Sequence, residues 1–274
     1  MKQLAVILSI MIFFSSCKKE DFDITNLNNN NITVLGHGGM GLGSLYPMNS
    51  IESIMRCLEK GAHGTELDVQ MTLDSVLVAF HHRELEDKTN KAGLIHSMTW
   101  KELKGAYYTD APYLRCQVIS LNELFGRLED PSHFWFTLDC KLYATGTNED
   151  QYHRTFANAI VRLLDQHQLH DQIYIESKSE TFLSNLQALG SSYKLFIYPV
   201  SFEAGLAIAS TMGLYGITIS TENITAEQVA QAHDAGFFVA IWNTNSQKRN
   251  EDAILKNPDC IQTDRLGHLL GLLN

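Results

Sequence analysis

From Ile32 onward, short runs of aliphatic, β-branched or aromatic residues alternate with longer stretches whose apolar residues recur at helical spacing. Eight extended runs are predicted: Thr33–His37, Gly64–Val69, Phe134–Lys141, Gln172–Ser177, Lys194–Val200, Gly216–Ser220, Phe237–Asn243 and Cys260–Asp264. Most precede an amphipathic segment, of which Asn49–Lys60, Thr155–His167 and Thr225–Ala235 are typical. In the first, Asn49 is the expected N-cap with Glu52 three residues on, Ile51, Ile54, Met55 and Leu58 form the apolar stripe, and Gly61 is the stop. Eight such alternations predict an α/β fold of the (β/α)8 TIM-barrel type, whose usual size is ~250 residues. A doubly wound open sheet is the alternative.

The period breaks once. About 50 residues separate the second strand from a helix near Leu121–Leu128, so a small insertion, residues 70–118, is expected after the second strand. It begins as a hairpin, because Val69–Leu73 and Val76–His81 are extended runs around Asp74-Ser75. A two-residue turn there would set His81 directly opposite Asp68, on the face that also carries Glu66. A one-residue slip would substitute His82.

Parity within the strands then assigns directions. Thr65, Leu67 and Val69 suit the helix layer of a barrel, which aims Glu66 and Asp68 inward. Phe134, Phe136 and Leu138 do the same on the next barrel strand, turning Asp139 and Lys141 inward. Buried carboxylates repel one another and are costly to desolvate, and a hard divalent cation bound through oxygen relieves both. Glu66, Asp68 and Asp139 are therefore candidate metal ligands. Lys141 is a candidate catalytic cation or a salt-bridge partner to the acids. The first strand ends in Gly36-His37-Gly38-Gly39-Met40-Gly41, which contains G-x-G-x-x-G. In a dinucleotide fold a helix opens at the third glycine, whereas here Leu42 to Met48 intervene. The glycines instead allow close approach of substrate beside His37, a candidate acid or base with His81.

Residues 1–31 read differently. Lys2 followed by an apolar run from Leu4 to Phe14 and then Ser15-Ser16-Cys17 has the layout of a signal peptide over residues 1–17. It ends in a sequence that resembles a lipobox with Cys17 as the acylated residue. Residues 18–31 are polar and Asn-rich and are expected to form a tether, leaving 32–274 as the barrel domain. The expected location is export with lipid anchoring to a bacterial cell envelope. Lys18 after Cys17 resembles outer-membrane sorting, and the Lys19-Glu20-Asp21 run resembles surface-export tethers. A formal charge of −10, with no basic stripe, argues against nucleic acid as a partner. The cysteines Cys57, Cys116, Cys140 and Cys260 lack the short paired spacings of a zinc site or disulfide scaffold. The sequence implies no protein partner.

Together these residues resemble the glycerophosphodiester phosphodiesterase family, over a stretch from about Val34 to Leu269. The motifs that carry the likeness are His37, Pro47-Met48-Asn49-Ser50, Gly61-Ala62-His63-Gly64-Thr65-Glu66-Leu67-Asp68-Val69, His81 thirteen residues after Asp68, Asp139-Cys140-Lys141, Trp242-Asn243-Thr244-Asn245 and Thr263-Asp264. The resemblance implies a barrel with an insertion after its second strand. It also implies one divalent cation, Ca²⁺ or Mg²⁺, on Glu66, Asp68 and Asp139, His37 and His81 as general acid and base, and Lys141 and Trp242 against the substrate. Four positions depart from the family pattern. Gly38 stands at the place of a phosphate-binding arginine, Met48 at that of a glutamate, His82 at that of an aspartate, and Asp139 at that of a longer acid. Lys178, after the fourth strand, is the candidate replacement for the arginine; the alternative is an exposed lysine at a helix start. The implied activity is metal-dependent hydrolysis of small glycerophosphodiesters to glycerol 3-phosphate and an alcohol. The rivals are a phospholipase C- or D-like enzyme on intact lipid, a non-catalytic phosphodiester-binding lipoprotein, and a hydrolase of a sugar-linked glycerophosphate polymer.

Overall fold

The computed structural model describes residues 32–273 apart from 111, 113, 114, 145 and 147, so the expected signal peptide, Cys17 and the tether lie outside the described residues. Its strands, in chain order, are β1 Thr33–Gly36, β2 Gly64–Met71, β3 Leu77–Ala79, β4 Ile119–Ser120, β5 Trp135–Cys140, β6 Ile173–Ser177, β7 Lys194–Ile197, β8 Gly216–Ser220, β9 Phe238–Thr244 and β10 Cys260–Thr263. Eight of them (β1, β2 and β5 to β10) pair in parallel, and β1 bonds to both β2 and β10, so the sheet closes into a barrel. The fold is the expected (β/α)8 barrel, and all eight extended runs are its strands.

Strand parity explains why the barrel forms. Outward residues, among them Val34, Leu67, Val69, Phe136, Leu138, Ile175, Ile217, Val239 and Ile261, pack with the surrounding helices in one continuous core. Inward residues divide by height. Leu35, Tyr174, Phe196, Ala240 and Cys260 form an apolar floor with Trp135, Tyr215 and Phe238. Above it, toward the C-terminal ends of the strands, the inward positions become Glu66, Asp68, Asp139, Glu176, Thr218 and Gln262. Six barrel helices start on hydroxyl caps, Ser50, Ser120, Ser179, Ser201, Thr225 and Ser246, and Ser120 and Thr225 complete capping boxes with Glu123 and Gln228.

Three local expectations are corrected. The first helix is Ile51–Glu59 and its N-cap is Ser50, whose hydroxyl accepts from the Ser53 amide. Asn49 instead adopts φ +65° and turns its amide group inward, a left-handed conformation that asparagine tolerates better than most residues. The third barrel helix begins six residues before Thr155, at Glu149. The hairpin register also differs: Val69 pairs with Ala79 and Met71 with Leu77. Thr72 and Val76 close a three-residue loop, Leu73-Asp74-Ser75, in which Ser75 takes φ +63° and the Thr72 hydroxyl bonds Asp74. Phe80, not His81, therefore lies opposite Asp68, and its amide donates to the Asp68 carbonyl at 2.9 Å.

Beyond β3 the chain forms a separate small core of Val78, Phe80, Leu85, Ile95, Leu103, Ala106, Tyr108, Cys116 and Val118 before β4 rejoins β3. This extension stands over one side of the barrel mouth and walls the site there.

Candidate active site

Each acid of the site is placed by a strand. Parallel register sets Asp68 beside Asp139 and Asp139 beside Glu176 across β2, β5 and β6. One oxygen from each of Glu66, Asp68 and Asp139 lies within 4.8 Å of the others. β2 outruns β1, which ends paired at Thr65, and the Asn49 side chain covers the strand edge thus exposed. Its Oδ1 accepts from the Asp68 amide at 3.0 Å and its Nδ2 donates to Asp68 Oδ2 at 2.6 Å. Glu66 Oε2 accepts from the Gly38 amide at 3.0 Å. Both carboxylates are thereby fixed by short segments following β1.

The charges are unbalanced. Lys141 Nζ sits 2.9 Å from Asp68 Oδ1 and also bonds Asp139. Burial raises the Glu66 carboxyl well above its ordinary value, helped by Asp68 and opposed by His37. Burial acts on Asp68 too, but Lys141, His81 and His37 hold it below the usual carboxylate range. Asp139 is raised by burial against the pull of Lys141. Lys141, surrounded by acids, stays protonated despite its burial. Three carboxylates thus converge on one lysine, whose ammonium is the partner of Asp68 Oδ1. An all-oxygen donor set of three converging carboxylates fits a hard divalent cation.

His37 stands immediately after β1. Its Nδ1 is 2.9 Å from Asp264 Oδ1, and its Nε2 is 3.9 Å from Glu66 Oε2. Burial lowers the affinity of this ring for a proton, but Asp264, Glu66 and Asp68 outweigh it and raise its pKa to about 9. Asp264 also accepts from the Leu42 amide at 2.8 Å and is held below its ordinary value by the contact with His37. Sequence analysis assigns no role to Asp264, although it ends the last predicted strand and belongs to the Thr263-Asp264 motif.

A cavity of about 530 Å³ opens over these groups, lined by His37, Glu66, His81, Asp139, Lys141, Tyr143, Glu176, Lys178, Tyr198, Trp242 and Gln262. His81 reaches it from the chain leaving β3, where its carbonyl accepts from Tyr143 Oη at 2.9 Å. Lys178 Nζ lies 4.5 Å above the Tyr198 ring, and Tyr198 packs against Trp242 with centroids 5.3 Å apart. Trp242 Nε1 is a buried donor with no hydrogen-bond partner in this wall. Gly38 does not line the cavity: its amide is used by Glu66, and Met48 covers its α-carbon. Parity reasoning passed over Glu176. Its side chain accepts from Thr218 at 2.6 Å and Gln262 at 3.1 Å, and burial with Asp139 nearby raises its pKa to about 8. Inward alternation with Tyr174 was the available signal.

The arrangement sets a histidine oriented by a carboxylate, a second histidine at the mouth, a lysine and an acidic metal-type cluster around one polar cavity. That constellation suits proton-coupled displacement at an anionic centre. Comparisons agree. The model of the Glycerophosphoryl diester phosphodiesterase family matches residues 40–268. A glycerophosphodiester phosphodiesterase from Bacillus altitudinis is 23% identical over 231 residues, covering 82% of this chain and 91% of its own length. Among solved structures, a glycerophosphodiester phosphodiesterase from Parabacteroides distasonis superposes with TM-score 0.75 at 21% identity, covering 89% of this chain and 97% of that one. A phosphodiesterase from Oleispira antarctica, solved with the product sn-glycerol-3-phosphate, gives TM-score 0.77 at 19% identity over 88% of this chain and 96% of that one.

Proposed function

Because the chain belongs to the glycerophosphoryl diester phosphodiesterase family and is thus a phosphoric diester hydrolase, we propose that it hydrolyses glycerophosphodiesters to glycerol 3-phosphate and an alcohol by metal-dependent, two-histidine catalysis. The observation that carries this reading is His37, held by Asp264 at 2.9 Å beside the acidic cluster and sharing one cavity with His81 and Lys141.

His37, kept protonated near neutral pH by Asp264, is the acid, and His81 is the base. His81 takes the proton of the glycerol hydroxyl next to the phosphate, and that oxygen bonds to phosphorus. The bond from phosphorus to the alcohol oxygen breaks as His37 delivers its proton there. Water then opens the cyclic ester with the two roles reversed. Lys141 adds positive charge beside the phosphate, and the partnerless Trp242 Nε1 is suited to donate to a phosphate or glycerol oxygen. Lys178, over the Tyr198 ring at the cavity wall, takes the place of the family's arginine. Gly38 contributes through its bond to Glu66. A divalent cation, Ca²⁺ or Mg²⁺, on Glu66, Asp68 and Asp139 would supply Lewis-acid polarisation of a non-bridging phosphate oxygen.

The test is to incubate purified protein with glycerophosphocholine, glycerophosphoethanolamine and glycerophosphoinositol in Ca²⁺, Mg²⁺ or chelator, and to measure glycerol 3-phosphate. Turnover abolished by chelator and by His37→Ala is expected. Absence of turnover on any diester, or insensitivity to chelator, refutes the proposal. An unchanged Michaelis constant and turnover number in Lys178→Ala would remove Lys178 from the phosphate clamp. Anchoring of the protein to a bacterial envelope through an acylated Cys17 is part of the same proposal, supported by the Ser15-Ser16-Cys17 sequence after the apolar run. Labelled fatty acid should be incorporated by the parent and not by Cys17→Ala.

A further inference from the structure

We propose that Glu176 is a specificity-determining residue, whose free carboxyl oxygen holds the terminal hydroxyl of the glycerol arm. The inference rests on the hydrolytic reading above and adds to it the group that places the attacking arm. Glu176, Thr218 and Gln262 project inward from β6, β8 and β10, three alternate strands of the barrel. Glu176 is 2% exposed. Both bonds it accepts, from Thr218 at 2.6 Å and from Gln262 at 3.1 Å, fall on Oε2. Oε1 takes part in no hydrogen bond among the described residues, and the side chain lines the polar cavity. Two strands thus fix one oxygen and hold the other in a single orientation toward the cavity, which is the preorganisation a ligand contact needs.

The class of ligand follows from that atom. An anionic group is repelled by the carboxyl and belongs beside Lys141. An apolar group would leave a buried oxygen unpaired. A hydroxyl donates to Oε1 when the carboxyl is ionised and accepts from it when the carboxyl is protonated, so it bonds in either state. Tyr198 and Trp242, with ring centroids 5.3 Å apart, form part of the same cavity wall, and the unpartnered Trp242 Nε1 supplies a donor there. The cavity therefore offers a polyol both an acceptor and a donor.

Direction selects the glycerol arm. β1, β2, β5 and β6 are consecutive around the barrel. The proposed acid, His37, follows β1, whereas the proposed base, His81, is tied through its carbonyl to Tyr143 just beyond β5. Attacking and leaving oxygens lie roughly in line across phosphorus. The leaving alcohol is then on the β1 side, and the attacking glycerol arm points toward β5 and β6. Its terminal hydroxyl, one carbon beyond the attacking one, meets Glu176.

The experiment compares glycerophosphocholine with its 1-deoxy analogue, which keeps the hydroxyl next to the phosphate and ends in a methyl group. The readout is the ratio of their kcat/KM values. The parent should prefer the hydroxylated diester by about tenfold or more, since the analogue strands Oε1. Glu176→Leu should bring the ratio near unity, while Glu176→Gln, which has the same shape and can still bond a hydroxyl, should keep most of it. A role confined to holding the barrel together would slow both substrates equally. A parent ratio below about threefold, a ratio that Glu176→Leu leaves unchanged, or an equal loss in both variants overturns the inference. The parent ratio decides alone if the leucine variant does not fold. If no diester is hydrolysed, the proposed reaction fails, and calorimetry still tests the residue. Tighter binding of glycerol 3-phosphate than of propane-1,2-diol phosphate, by about tenfold, upholds it, and equal affinity rejects it.

Discussion

Replacing Asn49 by alanine should weaken both the fold and the acidic centre. Asn49 is fully buried at φ +65° and makes two bonds with Asp68, one to its amide and one to its carboxylate. Alanine leaves the Asp68 amide unpaired where β1 has already ended, a loss of about 1–3 kcal/mol, and removes a hydrogen bond to a charged group worth about 1.5–3 kcal/mol. It also places a Cβ-bearing residue without a compensating side chain in the left-handed region, about 1–2 kcal/mol more. These contributions share one residue and are not strictly additive, so a net destabilisation of about 3–5 kcal/mol is expected. Asn49→Gly separates them, because glycine adopts that backbone freely and should recover about 1 kcal/mol of the loss. Urea unfolding in chelator measures stability, and calorimetric titration with Ca²⁺ or Mg²⁺ measures the centre. An affinity loss of about 10–100-fold is expected where an outer partner of a ligand is removed. If Asn49→Ala unfolds within about 0.5 kcal/mol of the parent and binds metal equally well, Asn49 does not hold Asp68 in place.

Three further outcomes are specific. Asp264→Asn keeps the shape beside His37 Nδ1 but removes its charge, so kcat should fall by about 100-fold or more with KM little changed; steady-state kinetics decide it, and parent-like kcat rejects the pair. At Gly41 a Cβ would lie 2.4 Å from Asp264 Cα at φ +77°, whereas at Gly43, φ +78°, it meets open space. Gly41→Ala should therefore lower the thermal midpoint well beyond Gly43→Ala, whose cost is about 1 kcal/mol of backbone strain alone; equal midpoints would show that the loop yields. His63 is exposed at the surface yet accepts from the Val34 amide through Nδ1, a bond that needs that nitrogen unprotonated, and partial desolvation of the ring lowers its pKa. Between the folded value and the ordinary 6.5 the unfolded chain binds more protons. This contribution to stability is complete above about 6.5 and is lost as pH falls through the folded value. His63→Gln should flatten the change in urea midpoint between about pH 7 and pH 5, and an unaltered slope would exclude His63 as its source.

The barrel was legible because its information is local and periodic. Alternation within Gly64–Met71 and Trp135–Cys140 separates residues for the helix layer from residues for the interior, and no long-range knowledge is needed to turn Glu66, Asp68, Asp139 and Lys141 inward. The misplaced features depend on contacts distant in the chain. Asn49 reads as a helix cap because its amide can serve one, but it answers to Asp68 nineteen residues away and Ser50 caps instead. The hairpin register turned on whether Ser75 would adopt a left-handed conformation, which lengthened the loop by one residue and put Phe80 where His81 was expected. Asp264 gave no local sign of its role, since its partner His37 is 227 residues earlier. The bond from the Tyr108 hydroxyl to the Met48 carbonyl was equally hidden, because the loop after β1 and the extension meet only in three dimensions.

That 227-residue separation has a kinetic meaning. β1 is the first strand of the barrel to be made and β10 the last, and only their pairing brings Asp264 against His37. A growing chain can assemble β2, β5 and their acids long before it can orient its histidine. Loop-closure entropy makes such end-to-end pairing a late event in folding. Under the proposed two-histidine mechanism every incomplete chain is catalytically silent, and the first competent molecule is one whose barrel seam has closed.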